Sequence, residues 1–189
     1  MTASLQIPAA LLELPPDKGA LVALVGPPGS GKSTFAAALV KQVARPVSVL
    51  CLDEYRARVS AWGDEADQYV TPWAVANLHI DLDEHLAQRR LVVVDATNAE
   101  SPHRRQLLEI AARHGAVTAA AVLLPALGVC QAHNAQRDPT VGACGWARQV
   151  PAVKVADMHA AITGDLPHLA DEGWAPVVLA DHARAAETR

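Results

Sequence analysis

The sequence predicts an α/β fold, a three-layer α/β/α sandwich on a parallel sheet of about five strands. Three observations predict it. Short apolar runs of strand length alternate along the chain with longer segments of helical periodicity. Leu91-Val92-Val93-Val94-Asp95 is apolar until its last residue, as a strand covered on both faces should be. The first run, Ala20–Val25, empties directly into Gly26-Pro27-Pro28-Gly29-Ser30-Gly31-Lys32-Ser33-Thr34, and a helix-forming segment follows.

Taken in order, residues 1–19 carry Pro8, Pro15 and Pro16 and read as a lead-in of short turns, with Leu11, Leu12 and Leu14 available to pack on the body. The main domain is expected over 20–181. After the glycine-rich turn, Phe35, Leu39 and Val43 recur at helical spacing until Arg45-Pro46 stops the helix. Val47 to Leu52 is a second strand ending at Asp53-Glu54-Tyr55-Arg56, and the polar stretch Ala57 to Val70 reads as a loop facing the site. Thr71-Pro72 supplies a capping hydroxyl and a proline for a helix carrying Val75, Leu78, Leu82 and Leu86.

The third strand, 91–95, is followed by the turn Ala96-Thr97-Asn98. Ser101-Pro102 opens a helix that closes at Gly115. Val117 to Leu124 is a fourth strand. Ala126 to Arg137 is helical, Asp138 to Val150 with Pro139, Gly142 and Gly145 suits a mobile segment, and Pro151 opens a further helix to about Gly164. Together 126–164 form a helical lid. Residues 176–180 make a fifth strand, and 182–189 a polar tail.

The glycine-rich turn matches G-x-x-x-x-G-K-[ST] in the strand–loop–helix context that gives the motif its meaning. Its backbone N–H groups and the helix N-terminus suit phosphate oxygens, so Gly26, Pro27, Pro28, Gly29, Ser30, Gly31, Lys32, Ser33 and Thr34 form a candidate nucleotide site. Lys32 suits the β- and γ-phosphates of ATP, and Ser33 suits Mg²⁺. Asp95, ending the third strand, is the expected second metal-side residue, held directly or through water. Asp53 ends the second strand, where a carboxylate could orient an acceptor hydroxyl and take its proton. Arg56 falls on the same face if this stretch is a helical turn; it could clamp an anionic acceptor, or simply pair with Asp53 or Asp95. Arg137 and Arg148 flank the mobile segment and are candidates for the donor phosphates, Arg137 foremost.

The remaining features take plainer readings. The formal net charge of −4 gives no general pull towards nucleic acid or membrane, so such binding would need a local patch. Three cysteines without a C-x-x-C pair read as reduced thiols. Cys130 and His133 have no second pair to complete a metal site, and the four Trp show no interleaved basic run. Arg89-Arg90 and Arg104-Arg105 are expected on solvated helix ends. With no membrane-length apolar run or leader, the chain is expected in the cytoplasm, away from membranes.

The ordered set Gly26 to Ala36, Asp53-Glu54-Tyr55-Arg56, Val93 to Asn98, Asn134-Ala135-Gln136-Arg137 and Arg148-Gln149-Val150-Pro151 resembles the kinase domain of bacterial polynucleotide 5′-kinases, the type found in RNA-repair kinase–phosphatase enzymes. The resemblance implies a phosphate-loop kinase fold that uses ATP and Mg²⁺. It implies that Lys32 and Ser33 handle the ATP phosphates and metal, and that Asp53 is the base for a nucleic-acid 5′-hydroxyl. Arg56 would bind the acceptor's neighbouring phosphate with Asp95 supporting it, Thr97 and Asn98 would line the substrate side, and Arg137 would be the lid arginine. A kinase of small alcohols (sugar, nucleoside or antibiotic) and a non-catalytic ATP switch are the competing readings.

Overall fold

A computed structural model describes residues 6–180; the expected tail over 182–189 lies outside the described residues. Strands β1 (Ala20–Val25), β2 (Val47–Cys51), β3 (Leu91–Asp95), β4 (Val117–Val122) and β5 (Val177–Leu179) form one sheet in the order β2-β3-β1-β4-β5. Every pairing is parallel. Helices α1 (Ala9–Leu12), α2 (Lys32–Gln42), α3 (Leu52–Val59), α4 (Thr71–Ala87), α5 (Ser101–Arg113), α6 (Leu127–Ala135) and α7 (Ala152–Asp165) complete the chain. None of the described helices is long and apolar enough to cross a membrane.

The three layers follow from the two-residue period of the strands. Leu21, Ala23 and Val25 of β1 point into one core with Val92, Val94, Ala120 and Val122. That core is capped by Leu78, Leu82 and Leu86 of α4, Leu107 and Ile110 of α5, and Ile162 of α7. The alternate residues Ala20, Val22 and Leu24 join Leu91, Val93, Ala119 and Ala121 against Phe35 and Leu39 of α2. Ile7, Leu11 and Leu14 of the lead-in pack into this second core, whereas Leu12 is exposed. Arg45 fastens the lead-in by donating to the Pro15 and Lys18 carbonyls at 2.6 and 2.8 Å.

The structure departs from the sequence expectation in three main places, besides shifts of one or two residues at the ends of α2, β2, β4, α6 and β5. Residues Ala57–Val59 are not loop: they continue α3, whose acidic Asp53 and Glu54 sit in the first turn and basic Arg56 and Arg58 in the last, complementing the helix dipole. Thr71 does not cap α4. It is the first helical residue, and its hydroxyl accepts a hydrogen bond from Arg56 instead. Arg104 is not on a solvated helix end but wholly buried, its charge balanced by Asp165 and Glu172.

Candidate active site

The strands β1, β2 and β3 deliver their last residues to one end of the sheet, where an open α/β fold places its ligands. The loop between β1 and α2 begins at Gly26, whose N–H donates to the Thr97 carbonyl at 3.1 Å. A side chain at Gly26 would collide with the Leu123 carbonyl, and one at Gly29 with the Cys130 carbonyl, so the loop closes on β4 and α6 only with glycine there. Gly31 precedes α2 with a φ of 91°, a left-handed turn that glycine adopts freely. Lys32 folds back over this loop, donating to the carbonyls of Gly26 at 2.8 Å and Pro27 at 3.0 Å. Burial lowers its pKa to about 8 against the opposing pull of Asp95. The Ser30 hydroxyl is buried with no hydrogen-bond partner among the described residues.

Asp95 is buried at the end of β3 and paired in register with Cys51 of β2. Burial raises its pKa, although a hydrogen bond from Ser33 and the charge of Lys32 oppose the rise. The donor set fits ATP and Mg²⁺. The Ser30 hydroxyl lacks a partner among the described residues, and an exposed Ser33 hydroxyl hydrogen-bonds the buried Asp95 carboxylate, an oxygen pair suited to a hard cation. Thr97 reaches the loop through its backbone. Asn98 takes a left-handed φ of 46° and donates its side-chain amide to the Leu24 carbonyl at 2.8 Å, which ties the β3 turn to β1. Its backbone carbonyl accepts from Arg104 at 3.0 Å.

On the other side of Asp95, Asp53 and Arg56 lie one helical turn apart on α3. Arg56 Nη1 meets Asp53 Oδ1 at 2.5 Å, and Nε donates to Thr71 at 3.0 Å. The Arg56 side chain is 13% exposed and is held at two points, Nη1 on Asp53 and Nε on Thr71. Arg148 reaches the second oxygen, Asp53 Oδ2, at 3.8 Å and pairs with Glu65.

Residues 136–151 run between α6 and α7 without regular structure. Asn134 fastens both ends: its amide donates to the Val150 carbonyl at 2.7 Å, and its carbonyl accepts from the Val150 N–H at 3.2 Å. The segment lies against residues 60–70 through a Cys144 thiol donating to Asp64, a Trp146–Tyr69 edge contact with centroids 6.0 Å apart, and the Arg148–Glu65 pair. Arg137, half-buried at the end of α6, adds its charge to those acting on Lys32 and Asp95. The two flanking arginines therefore differ: Arg137 acts on the phosphate-loop groups, and Arg148 bonds to the Asp53 side.

Glu65, Thr71 and Arg104 are the participants that sequence reasoning missed. Thr71 was visible only as a helix start. Glu65 sits in a polar stretch with no motif, and the acidic partners of Arg104 are 61 and 68 residues away.

Comparison with known proteins agrees with this fold. A family profile described as an AAA domain matches residues 21–164. No curated protein sequence matches the chain closely enough to count as a relative. Among solved structures, a chain of the Pnkp1/Rnl/Hen1 RNA repair complex is similar with a TM-score of 0.67 and 18% identity over 80% of this chain. This chain spans only 46% of that one. The tunicamycin resistance protein of Deinococcus radiodurans is similar with a TM-score of 0.56 and 16% identity, covering 85% of this chain and 86% of its own. A gluconokinase from Sinorhizobium meliloti gives 0.51 and 18%, covering 85% and 81%. These likenesses show a shared phosphate-loop kinase fold.

Proposed function

The chain belongs to the AAA domain family, and from that membership we propose that it is an ATP-dependent kinase whose acceptor is a polynucleotide 5′-hydroxyl. The observation that carries this reading is the Asp53–Arg56 pair, fixed by Thr71 just beyond the end of β2, with the Asp53 charge within reach of Lys32. A hydroxyl kinase needs a carboxylate at that place, and a nucleic-acid acceptor needs an adjacent cation.

In the proposed reaction the loop N–H groups and the α2 N-terminus take the donor phosphates, and Lys32 exchanges its two carbonyl partners for phosphate oxygens. Mg²⁺, held by Ser33 and on the Asp95 side, would supply charge neutralisation between the phosphates. Asp53 orients the acceptor hydroxyl through Oδ2 and accepts its proton as the new O–P bond forms and the bond from the γ-phosphorus to the β,γ-bridging oxygen breaks, with ADP as the leaving group. Arg56 holds the phosphate one nucleotide away, and Arg137 stabilises charge on the transferred group.

A second reading, a kinase of small alcohols, is favoured by one observation. The tunicamycin resistance protein and the gluconokinase match along most of their own length, whereas the RNA-repair chain matches along less than half. Transfer of labelled γ-phosphate from ATP across 5′-hydroxyl oligonucleotides, nucleoside 3′-monophosphates, nucleosides and sugars separates the two. Labelling of oligonucleotides and 3′-monophosphates above bare nucleosides and sugars supports the first. Labelling of a neutral alcohol alone replaces it with the second.

A further inference from the structure

Arg148 bonds to the carboxylates of Asp53 and Glu65, whereas Arg137 is the lid arginine whose charge acts on Lys32 and Asp95. Each oxygen of Asp53 thus has its own guanidinium, Arg56 on Oδ1 at 2.5 Å and Arg148 near Oδ2 at 3.8 Å. We infer that Arg148 is a second oxyanion-binding group of the acceptor site, held on Glu65 until an anionic acceptor displaces it, and that with Arg56 it clamps a phosphate carried beside the acceptor hydroxyl. The inference deepens the kinase reading and rests on it.

Charge and anchorage support the assignment. Asp53 and Glu65 balance Arg56 and Arg148 one for one, so the pair of arginines is neutralised while no anionic acceptor is present. The contact to Asp53 Oδ2 is loose, and the Arg148 side chain is 44% exposed, so it can be exchanged for a phosphate oxygen without unpacking the core. Its backbone is well held by comparison. Val150 is tied to Asn134, the Gln149 N–H donates to the Asp138 carbonyl at 3.1 Å, and Trp146 packs on Tyr69. Only the side chain needs to swing. When it does, Oδ2 loses its cationic neighbour and faces the incoming hydroxyl. An acceptor with the right oxyanion uncovers the base, and a neutral alcohol leaves it covered.

The test is calorimetric binding to the full chain with the phosphate loop saturated by Mg²⁺ and a non-hydrolysable ATP analogue. The probes are inorganic phosphate, a nucleoside 3′-monophosphate and the bare nucleoside. Arg148→Ala should weaken phosphate and 3′-monophosphate binding by about tenfold, the scale of one charged hydrogen bond, while affinity for the ATP analogue holds. Glu65→Gln, which removes the competing carboxylate, should tighten both. Arg148→Lys, with charge but no planar fork, should fall between wild type and Arg148→Ala, and gives a reading if the alanine variant folds poorly. Loss of ATP-analogue affinity with phosphate binding unchanged would put Arg148 on the donor side and overturn the inference. So would the absence of any phosphate binding to the analogue-loaded wild type. If phosphate binds through Arg148 but the 3′-monophosphate is not phosphorylated in the transfer assay, the clamp stands and the polynucleotide reading falls.

Discussion

Asn134 and Val150 grip each other through two hydrogen bonds, side-chain amide to carbonyl at 2.7 Å and N–H to side-chain oxygen at 3.2 Å. One asparagine thereby does for a 16-residue separation what a rung of sheet does for two strands. Asn134 is 3% exposed, so this bridge is shielded from water. Asn134→Ala should leave both Val150 groups without that partner and cost about 1–3 kcal/mol locally. Limited proteolysis should then cut within 136–150 much faster than in wild type, while the global melting point moves little. Unchanged cutting would mean that the contacts with residues 60–70 alone hold the segment.

Lys32 gives a pH signature. Burial lowers its folded pKa from 10.5 to about 8. Below about pH 8 both folded and unfolded chains carry the proton, and the cost of the buried charge is present in full. Between about 8 and 10.5 only the unfolded chain binds it, so this group's contribution to stability rises with pH in that window. Polyanionic phosphates reverse the shift. ATP binding at about pH 8.5 should therefore take up protons, visible as binding enthalpies that differ between buffers of different ionisation heat. Uptake should fade towards pH 6.5, where Lys32 is already charged. Identical enthalpies in all buffers at pH 8.5 would contradict the buried setting of this amine.

Asp53→Asn should keep ATP affinity and cut transfer by about two orders of magnitude or more, the ordinary scale for a lost general base. The neutral amide would also release Arg56 from its 2.5 Å partner, so acceptor binding can improve while turnover collapses. If ATP affinity collapses instead, the carboxylate belongs to the metal.

Arg104→Met should destabilise the fold by about 3–5 kcal/mol, because Glu172 and Asp165 lose a wholly buried counter-charge. Acid sensitivity should change with it. Burial would raise the Glu172 pKa, but its bonds to Arg104 outweigh that and lower it below 4.5. A lowered carboxylate contributes stability above its unfolded pKa and loses it as pH falls through the folded one. Wild type should therefore lose stability steeply below about pH 4.5, and the variant should lose less. Chemical denaturation at pH 7 and pH 3.5 measures both effects. Equal slopes would mean the ion cluster is not what links α5 to the end of α7.

The parts of the molecule legible in the sequence are those governed by short-range rules. β1 and β3 begin and end where their apolar runs do, because a strand covered on both faces tolerates little else. The phosphate loop was legible because glycine spacing, Lys32 and Ser33 are contiguous. Arg56 beside Asp53 was legible as an i, i+3 possibility, and the structure realises it. The full length of α3 was not, since a mostly polar helix offers one buried residue, Tyr55, and no apolar stripe. Arg104 and the Arg148–Glu65 pair depend on residues distant in sequence. No local pattern encodes such a partner; only the packing of α7 on α5, or of 138–150 on 60–70, creates it.

The two halves of the site inherit different mechanical characters from the sheet. β1 is fully enclosed between β3 and β4 and beneath both helical layers, so its amides should exchange with deuterium only through global opening, and the phosphate loop springs straight from it. β2, which carries Asp53 into α3, is the margin of the sheet and has an exposed residue at its centre. Under the proposed kinase reading, nucleotide handling draws on the stiff middle and acceptor choice on the yielding border. Under that reading, substitutions along this border should change acceptor preference while ATP binding holds, which makes β2, α3 and residues 60–70 the place to begin engineering a new acceptor.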